Sequence, residues 1–394
     1  MRTLEGVRRS GAALAERVGD PAARFTNPVH EARTAAILGI ALAVAFTACF
    51  TTGVLSHLIQ YPPSWFAWPS RPAGFYRVTQ GVHVTTGLAT IPLLLAKLWV
   101  VYPHFTSLPP VRSVGHFFAR LALLPLVGGA IFLLVSGVAN VARWYPWTFF
   151  FPRAHFWAAW ITIGALVVHV GVQWATSRAA LRRAAVAERD PVLVRATSGE
   201  RRGFLAGVAG AVGLVWVATS GGTVAVLSPL SALAQRRPGD GPQGLPVNKT
   251  AVGAGTEELA DDPTWALTVE GRVDTPLRLT AAALAALPQR SATLPIACVE
   301  GWSASARWTG VPVRDLLALA GAAGDAEVQV ESADDSLYGR SELNRSHAAD
   351  PDTMLALLVN GEPLHPDHGA PLRLIGPNRP GVMQTKWVTR LVVR

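Results

Sequence analysis

The run AHFWAAWITIGALVVHVGVQWATS, residues 154–177, contains no Asp, Glu, Lys or Arg and yet carries two histidines. A helix needs about 20 apolar residues to cross the ~30 Å hydrocarbon core of a bilayer, so this run is long enough. Ionisable side chains inside a membrane helix are costly and usually functional. His155 and His169 are separated by nearly four helical turns, which places both imidazoles on one helix face, about 21 Å apart along the axis. The run therefore predicts a membrane helix with one functional histidine in each leaflet.

Four further stretches of the chain lack charged residues in the same way. With the run above they predict five transmembrane helices, near residues 34–57, 76–100, 116–139, 155–176 and 204–227. Only 15% of the residues are charged, against about 25% in ordinary soluble domains, which excludes a purely soluble protein. The net charge of +9 arises in the first part: residues 1–254 carry 23 Lys and Arg against 8 Asp and Glu, and residues 255–394 carry 12 against 18. The basic balance is therefore no indication of a nucleic-acid partner.

The basic residues of the loops predict the orientation of the helices. Six arginines precede residue 34, and the connection 178–202 carries seven arginines. The loops near 58–75 and 140–154 are instead rich in Trp and Tyr, which favour the membrane interface, whereas Lys and Arg remain on the cytoplasmic side. We therefore expect a multi-pass protein of the cell (inner) membrane with a cytoplasmic N-terminus. Five crossings place the chain beyond about residue 230 outside the cytoplasm.

The last part of the chain has the pattern of a soluble α+β domain. Trp265, Leu267 and Val269 alternate as in a strand, residues 313–320 have the pattern of a helix, and Asn360-Gly361 is typical of a hairpin turn. The expected fold class is a membrane all-α bundle of five transmembrane helices followed by this soluble domain. The expected boundaries are a cytoplasmic N-terminal segment at 1–33, a four-helix membrane domain at 34–180, a basic loop and fifth helix at 181–235, a Gly- and Pro-rich linker at 236–261 and the soluble domain at 262–394.

The entrance of the fifth helix carries a second signal. The stretch SGERRGFL, residues 198–205, has the paired arginines and following apolar run of a twin-arginine export motif. Arg201 and Arg202 fit equally well as ordinary cytoplasmic anchors of a membrane helix. Ala232-Leu-Ala234 further resembles a signal-peptidase site. Both interpretations of the arginine pair stay open at this level, as does cleavage after Ala234.

Each histidine of the fourth helix needs a partner if it is to bind a haem. Two stacked b-type haems require two imidazoles each, at matching depths on different helices of a bundle. The candidate partners are His83 and His57 on the outer side, and His30, His104 and His116 on the inner side. A position at a helix end, facing lipid headgroups, is the alternative for each of them, and it is favoured for the last two.

Short motifs in these helices resemble the cytochrome b subunits of formate dehydrogenase and thiosulfate reductase, over residues 27–180. The shared features are a histidine before the first helix and Thr-Gly near its end, a histidine early in the second helix and a histidine pair in the fourth, here His30, Thr52-Gly53, His83, His155 and His169. The resemblance implies an outer haem held by His83 with His155, and an inner haem held by His30 with His169.

The soluble domain has one cysteine, in the run LPIACVEGWS at residues 294–303. A lone thiol outside the reducing cytoplasm oxidises unless it is buried or bound to a metal, and a buried core cysteine is the common case. The run is similar, however, to the molybdopterin-binding domain of the sulfite oxidase family, which includes the periplasmic methionine sulfoxide reductases with their Cys-Val-Glu-x-Trp-Ser motif. This resemblance implies that Cys298 is the catalytic thiolate ligand of molybdenum, for which a soft donor is suitable.

A second block, residues 360–387, supports the same resemblance, which extends over 262–394. Its segments NGEPL, HGAPLR and QTKW imply that Arg373 and Lys386 grip the pterin phosphate, and a guanidinium and an ammonium suit that anion. Further cofactor contacts are implied for four polar residues, Ser332, His368, Gln384 and Thr385. The N-terminal extension of the reductases is not recognisable, so we expect residues 240–265 or the membrane domain to complete the pocket. The Cys-Ala-Gly-Asn-Arg-Arg stretch of sulfite oxidases is absent, which disfavours sulfite as substrate.

Together the two resemblances imply an electron-transfer enzyme in one chain. The expected function is a membrane-bound molybdenum oxidoreductase that passes electrons between the quinone pool, two b-type haems and an extracytoplasmic molybdopterin site. Reduction of an S-oxide or N-oxide is the favoured direction. The alternatives are the reverse flow, from a small substrate to quinone, and a haem-only conduit whose external domain binds a partner.

Overall fold

The computed structural model of the chain describes residues 29–106, 113–182 and 198–394. Contacts divide it into two compact units, Met1–Thr51 with His83–Val217 and Thr52–Val82 with Ala218–Arg394. Residues 52–82 of the four-helix domain expected at 34–180 are thus grouped with the C-terminal part, and the expected domain boundaries stay a prediction. Most of the expected N-terminal segment 1–33, and of the basic loop within 178–202, lies outside the described residues.

Five helical segments are long and apolar enough to cross a membrane, in agreement with the sequence. They are α1 (Ala32–Gln60), α2 (Phe75–Thr106), the consecutive α3 (Val114–Leu121) and α4 (Leu123–Ala142), α5 (Phe151–Arg182) and α6 (Ser198–Ser220). Many of their large apolar side chains are exposed, as lipid contact requires. The chain thus combines membrane helices with a separate C-terminal domain.

The last membrane helix ends earlier than the sequence predicts. A span was expected near 204–227, whereas α6 ends at Ser220 and a 3-10 helix follows at Ala225–Leu230. The chain turns at Gly221, whose amide donates to the hydroxyl of Ser231 at 2.7 Å. A side chain at Gly221 would overlap that serine, so only glycine permits the turn.

In the first unit, α4 and α5 pack closely through small residues. Gly129 of α4 faces Thr162 of α5, and a Cβ at the glycine would overlap the threonine hydroxyl. Small residues allow such close approach between membrane helices. Ala130, Ser136 and Ala139 continue this buried face of α4.

The C-terminal domain contains two five-stranded sheets. One has the strand order β2-β1-β10-β5-β6, and the other has the order β3-β4-β7-β8 with β9 paired to β7. The strands are β1 (Ala266–Gly271), β2 (Leu277–Thr280), β3 (Arg290–Ala297), β4 (Ser303–Pro312), β5 (Val328–Ser332), β6 (Arg340–Leu343), β7 (Met354–Val359), β8 (Glu362–Pro363), β9 (Arg373–Ile375) and β10 (Val388–Val393). Short helices α7 (Ala251–Ala254), α8 (Ala281–Ala286), α9 (Val313–Leu319) and α10 (Arg345–Ala349) connect them. The α+β prediction is confirmed.

The local predictions for this domain agree with the observed elements. The alternating residues 265–269 fall at the start of β1, where Leu267 and Val269 are fully buried. The helix expected at 313–320 is α9. Asn360 and Gly361 join β7 to β8 with φ of 53° and 90°, the left-handed geometry of a tight hairpin turn.

The stretch expected as a linker, residues 236–261, is packed on the domain rather than extended. It contains a 3-10 helix at Pro242–Gly244 and the short helix α7. The backbone amide of Ala251 donates to Asp367 Oδ1 at 2.7 Å, and Gln243 Nε2 donates to the carbonyl of Pro363 at 2.8 Å. This stretch therefore forms part of the wall around the site described next.

Candidate functional site

Cys298 lies in a tight turn that joins β3 to β4. Its amide donates to the carbonyl of Trp302 at 2.9 Å, and Gly301, with φ of 89°, closes the turn. The side chain is 1% exposed. Burial, together with the nearby carboxylate of Glu300, raises the pKa of the Cys298 thiol to about 12. Without a cation at the sulfur this thiol stays protonated, so its position suits a metal ligand better than a free nucleophile.

A salt bridge braces the turn from outside the strands. Arg236, from the stretch before the domain, places Nη1 2.5 Å from Glu300 Oε2. The indole of Trp302 donates to the same carboxylate oxygen at 3.2 Å. Arg236 also donates from Nε to the carbonyl of Val247 at 3.1 Å. The carboxylate of Glu300 therefore helps to fix the turn that carries Cys298.

Two buried cations lie in this domain, and Lys386 is close enough to the thiol to lower its pKa. Arg373, 4% exposed, opens β9, and Lys386, 9% exposed, precedes β10. Neither makes an ion pair with a carboxylate of the described residues. Arg373 donates to the carbonyl of His368 at 3.1 Å and stacks 5.4 Å from the ring centre of Trp308, while its Nε is buried without a partner there. Lys386 donates to two backbone carbonyls, at 2.6 and 2.7 Å.

Burial lowers the pKa of Arg373 to about 9. Burial and the charge of Arg373 also hold the pKa of Lys386 well below its usual value, although Asp367, Cys298 and Glu300 partly oppose that fall. A buried charge without a counter-charge is costly unless an anion joins it. A phosphate would supply that counter-charge, since guanidinium and ammonium groups are its common donors. The residues present thus fit the phosphate of a pterin cofactor, with Cys298 as the nearby thiolate.

The ring of His368 is buried and held by the stretch before the domain. Its Nε2 donates to the carbonyl of Pro242 at 2.7 Å, because a carbonyl can only accept. Burial, partly opposed by that bond and reinforced by nearby cations, lowers the pKa of His368 to about 4. The imidazole is therefore neutral at pH 7. The backbone carbonyl of His368 accepts a hydrogen bond from Arg373, so His368 lies beside this cation.

Three of the expected cofactor residues use their side chains on the protein itself. Ser332 donates to the carbonyl of Lys386 at 2.7 Å, and Thr385 pairs with the hydroxyl of Ser341 at 2.6 Å. The amide of Gln384 makes two bonds to the backbone of Gly376, at 2.8 and 3.0 Å. These side chains position Lys386 and its loop. Direct contacts from them to a cofactor stay a prediction.

The structure brings residues to the site that the sequence did not single out. Pro242 and Lys249 supply carbonyls to His368 and Lys386, as expected of the 240–265 stretch. Arg379 is a third buried cation, whose pKa burial lowers to about 9. It donates to the carbonyls of Glu342 and Met383, both at 2.9 Å. In the sequence, the position of Arg379 between Arg373 and Lys386 is the one feature that could have marked it as a candidate residue.

In the membrane unit, His83 of α2 and His155 of α5 face each other. Their ring centres are 6.4 Å apart with an angle of 67° between the planes. Imidazoles bound to opposite faces of one metal, with bonds of about 2 Å each, have centres about 6 Å apart. His83 Nδ1 donates to the carbonyl of Cys49 at 2.8 Å, and His155 Nδ1 pairs with the hydroxyl of Ser136 at 3.0 Å. Such bonds fix the ring orientation of metal-binding histidines, so this pair fits one haem.

The inner pair is not joined in the same way. His30 is buried and its Nδ1 donates to the carbonyl of Val100 at 2.9 Å. No hydrogen bond or ring contact connects it with His169 among the residues that the structure describes. The inner haem therefore stays a prediction. The alternative outer ligand, His57, belongs to the second unit and stacks on Tyr61 at 5.1 Å between ring centres.

Comparisons with known proteins agree with this site. Residues 254–394 match a family model described as oxidoreductase molybdopterin binding domain. The putative protein-methionine-sulfoxide reductase subunit YedZ1 of Azospira oryzae is 34% identical over 133 residues, covering 34% of this chain and 50% of the relative. NADH nitrate reductase 1 of Oryza sativa subsp. japonica is 34% identical over 171 residues, covering 35% of this chain and 19% of the relative.

A solved structure, the sulfane dehydrogenase SoxCD from Paracoccus pantotrophus, is 30% identical and covers 33% of this chain and 38% of that one, with a TM-score of 0.31. The chain spans between 10% and 50% of the length of the curated relatives it matches.

The paired sheets, the buried thiol at a strand end and the two buried cations suit a cofactor-binding oxidoreductase domain, and this domain follows helices long and apolar enough to cross a membrane. This C-terminal domain is therefore similar to the oxidoreductase molybdopterin binding family, over residues 254–394.

Proposed function

We propose that the chain is a membrane-bound molybdenum oxidoreductase that carries electrons from the quinone pool, through two b-type haems, to an extracytoplasmic molybdopterin site that reduces an S-oxide or N-oxide. The observation that carries the proposal is the buried pair Arg373 and Lys386, neither of which forms an ion pair among the described residues, in the same domain as the buried thiol of Cys298. The chain also carries a facing histidine pair in its membrane helices. The relative named as a methionine-sulfoxide reductase subunit supports the direction of the reaction.

In this proposal each residue near the thiol has a separate task. Cys298 binds the metal, and Arg373 and Lys386 bind the phosphate of the pterin. His368, neutral and fixed by Pro242, would contact the pterin. When bound, the molybdenum cofactor supplies two-electron oxygen-atom transfer and the haems supply one-electron steps.

The overall reaction balances without a further reactant. A quinol gives two electrons and two protons and becomes a quinone. The oxide accepts two electrons and two protons, its bond to oxygen breaks, and a sulfide or amine and one water are formed. The electron donor is thus a quinol and the electron acceptor is the S-oxide or N-oxide.

The membrane histidines divide into two proposed ligand pairs. His83 with His155 would hold the outer haem, and His30 with His169 the inner one. The second unit supports an extracytoplasmic site, because it contains both the Trp-rich loop at 58–75 and the C-terminal domain. Both must then lie on one side of the membrane, which is the outside if the arginine-rich segments are cytoplasmic.

The test is Cys298→Ser in the full chain purified in detergent. We expect turnover of an S-oxide to be lost and molybdenum per chain to change little, since the phosphate grip remains, while the reduced b-type absorption band is unchanged. Ser291→Ala, at an exposed position on β3, is the control that should leave all three unchanged. Full turnover by the serine variant, or wild-type protein without molybdenum and haem, would contradict the proposal.

The direction of electron flow needs a separate measurement. Haems reduced with a soluble quinol should be reoxidised when an S-oxide or N-oxide is added. Haem reduction by the sulfide or amine, with no reoxidation by the oxide, would instead establish the reverse flow.

A further inference from the structure

Asn378 directs its whole side chain at the connection between α1 and α2, here called the α1–α2 segment (residues 61–76). Its Nδ2 donates to the carbonyl of Pro69 at 2.8 Å, and its Oδ1 accepts from the amide of Tyr76 at 2.7 Å. Tyr76 is the second residue of α2, where helix amides have no partner within the helix. Asparagine is a common cap for such amides. Here the cap comes from a residue 302 positions away in the chain.

The backbone of Asn378 is bound to the same segment. Its amide donates to the carbonyl of Ala73 at 2.9 Å, and its carbonyl accepts from the indole of Trp68 at 2.8 Å. The residue is 1% exposed, so these bonds are shielded from water. Its φ of 54° is left-handed, which asparagine tolerates better than most residues. All four polar groups of Asn378 thus hold the α1–α2 segment.

A second set of contacts holds the segment against α10 and its flanks. The hydroxyls of Ser70 and Ser346 are 3.1 Å apart, and the amide of Ser70 donates to Ser346 Oγ at 2.9 Å. Arg71 forms a two-point salt bridge with Asp350, at 2.8 and 2.9 Å. Asn344 Nδ2 donates to the carbonyl of Trp68 at 2.9 Å. These contacts hold residues 68–71 of the segment, whereas the start of α2 at Tyr76 is held by Asn378.

The loop that carries Asn378 packs against the turn that carries Cys298. Pro380 forms an isolated parallel bridge with Ala297, the residue before the cysteine. A Cβ at Gly381 would lie 3.1 Å from the carbonyl of Ala297. On the other side of the turn, Gln80 of α2 donates to the carbonyl of Val299 at 3.4 Å. The start of α2 and the thiol turn are therefore fixed to each other through the loop of Asn378.

We infer that Asn378 is a positioning residue which keeps the start of α2 permanently docked on the molybdopterin domain, so that electron exchange with the histidines of α2 needs no docking encounter. His83 follows Gln80 by three residues, less than one helical turn, or about 4.5 Å along the axis. The inference rests on the proposed function for its electron-transfer part, whereas the docking itself is independent of it.

The first experiment measures docking without activity. Ser70→Cys with Ser346→Cys places two thiols where two hydroxyls nearly touch, and disulfide formation under mild oxidation is measured by peptide mass spectrometry. In the full chain we expect nearly complete cross-linking. Adding Asn378→Gly, which keeps the left-handed backbone accessible and removes the cap, should lower the cross-linking rate at least tenfold. An unchanged rate would overturn the inference.

The second experiment measures electron exchange. Haems are reduced with menadiol, and their reoxidation by dimethyl sulfoxide or trimethylamine N-oxide is followed by absorbance. Each turnover takes two electrons from two haems and two protons from solvent, and releases one water. Asn378→Gly should slow reoxidation at least tenfold. Reduction of the same oxide by a viologen dye, which reaches the external site directly, should stay within twofold, and so should molybdenum per chain.

Rescue distinguishes positioning from simple damage to the fold. A preformed disulfide between positions 70 and 346 should restore most of the reoxidation rate of the Asn378→Gly chain, and its reduction should abolish the gain. If Asn378→Gly fails to fold, Asn378→Ser replaces it, because a serine hydroxyl also caps helix amides and adds no buried charge, and an intermediate loss is expected. Equal loss of dye-linked and haem-linked rates, or no rescue, would overturn the inference. Wild-type haems that no oxide reoxidises would refute the proposed function, while cross-linking would still decide the docking.

Discussion

Arg373→Met should stabilise the cofactor-free chain and, at the same time, impair cofactor binding. The guanidinium is buried, contacts a carbonyl and an aromatic face, and meets no carboxylate among the described residues. A phosphate is what we expect to offset its charge. In cofactor-free protein the charge is a net cost, which an apolar side chain of similar length removes.

The magnitude follows from the pKa of Arg373. A fall from 12.5 to about 9 corresponds to roughly 5 kcal/mol, at 1.36 kcal/mol per pKa unit. The group stays protonated at pH 7, so the cost is present there and declines only as the pH rises through the lowered pKa toward 12.5. The variant also loses the hydrogen bond to His368 and the contact with Trp308, and this lowers its gain in the free energy of unfolding by about 2–3 kcal/mol. The net gain is then about 2–3 kcal/mol, or a rise in Tm of roughly 5–10 °C.

The assay is thermal unfolding of the full chain in detergent, prepared from cells that do not make the pterin cofactor. Arg340→Met is the matched control, because Arg340 is 74% exposed and should change Tm by about 1 °C or less. In protein from cofactor-producing cells, Arg373→Met should have a lower Tm than wild type and should bind less molybdenum. A cofactor-free Arg373→Met chain less stable than wild type would refute the reasoning.

Three further predictions concern other parts of the chain. Ser136→Ala removes the hydrogen-bond partner of a proposed haem ligand, so haem affinity measured by haem-transfer titration should fall about 10- to 100-fold. Gly129→Ala should lower the Tm of the membrane part because α4 and α5 must separate, whereas Gly128→Ala, with open space around it, should not. Burial alone would raise the pKa of Asp350, but hydrogen bonds, chiefly from Arg71, hold it below its usual value. Stability from this pair is present above about pH 4 and is lost as the pH falls through the lowered pKa, so Tm should decline more steeply there in wild type than in Arg71→Gln.

Local patterns predicted three elements of the C-terminal domain, namely strand β1, helix α9 and the turn at Asn360. The helix at α9 and the turn at Asn360 depend on neighbouring residues, and both are found where expected. The end of α6 was misplaced because apolar composition continues past Ser220, whereas the chain turns on a contact between Gly221 and Ser231.

Sequence motifs singled out several residues that the structure buries in this domain, but not the residues that hold them in place. Cys298, Arg373 and Lys386 stand in recognisable motifs, and the structure buries all three. Arg236 and Asn378 could not be found, because their partners lie far away in the sequence and neither residue type marks a role by itself. Ser332 was expected at the cofactor, yet its hydroxyl is used on the backbone of Lys386.

The grouping of Thr52–Val82 with Ala218–Arg394 has a consequence for how this protein can be taken apart. A fragment that begins at residue 254, the border of the family match, would leave the amide of Asn378 facing water and remove the carbonyls that hold His368 and Lys386. Scission after Ala234 would break the chain without releasing its C-terminal part, which would stay bound to the α1–α2 segment, about 160 residues earlier in the sequence.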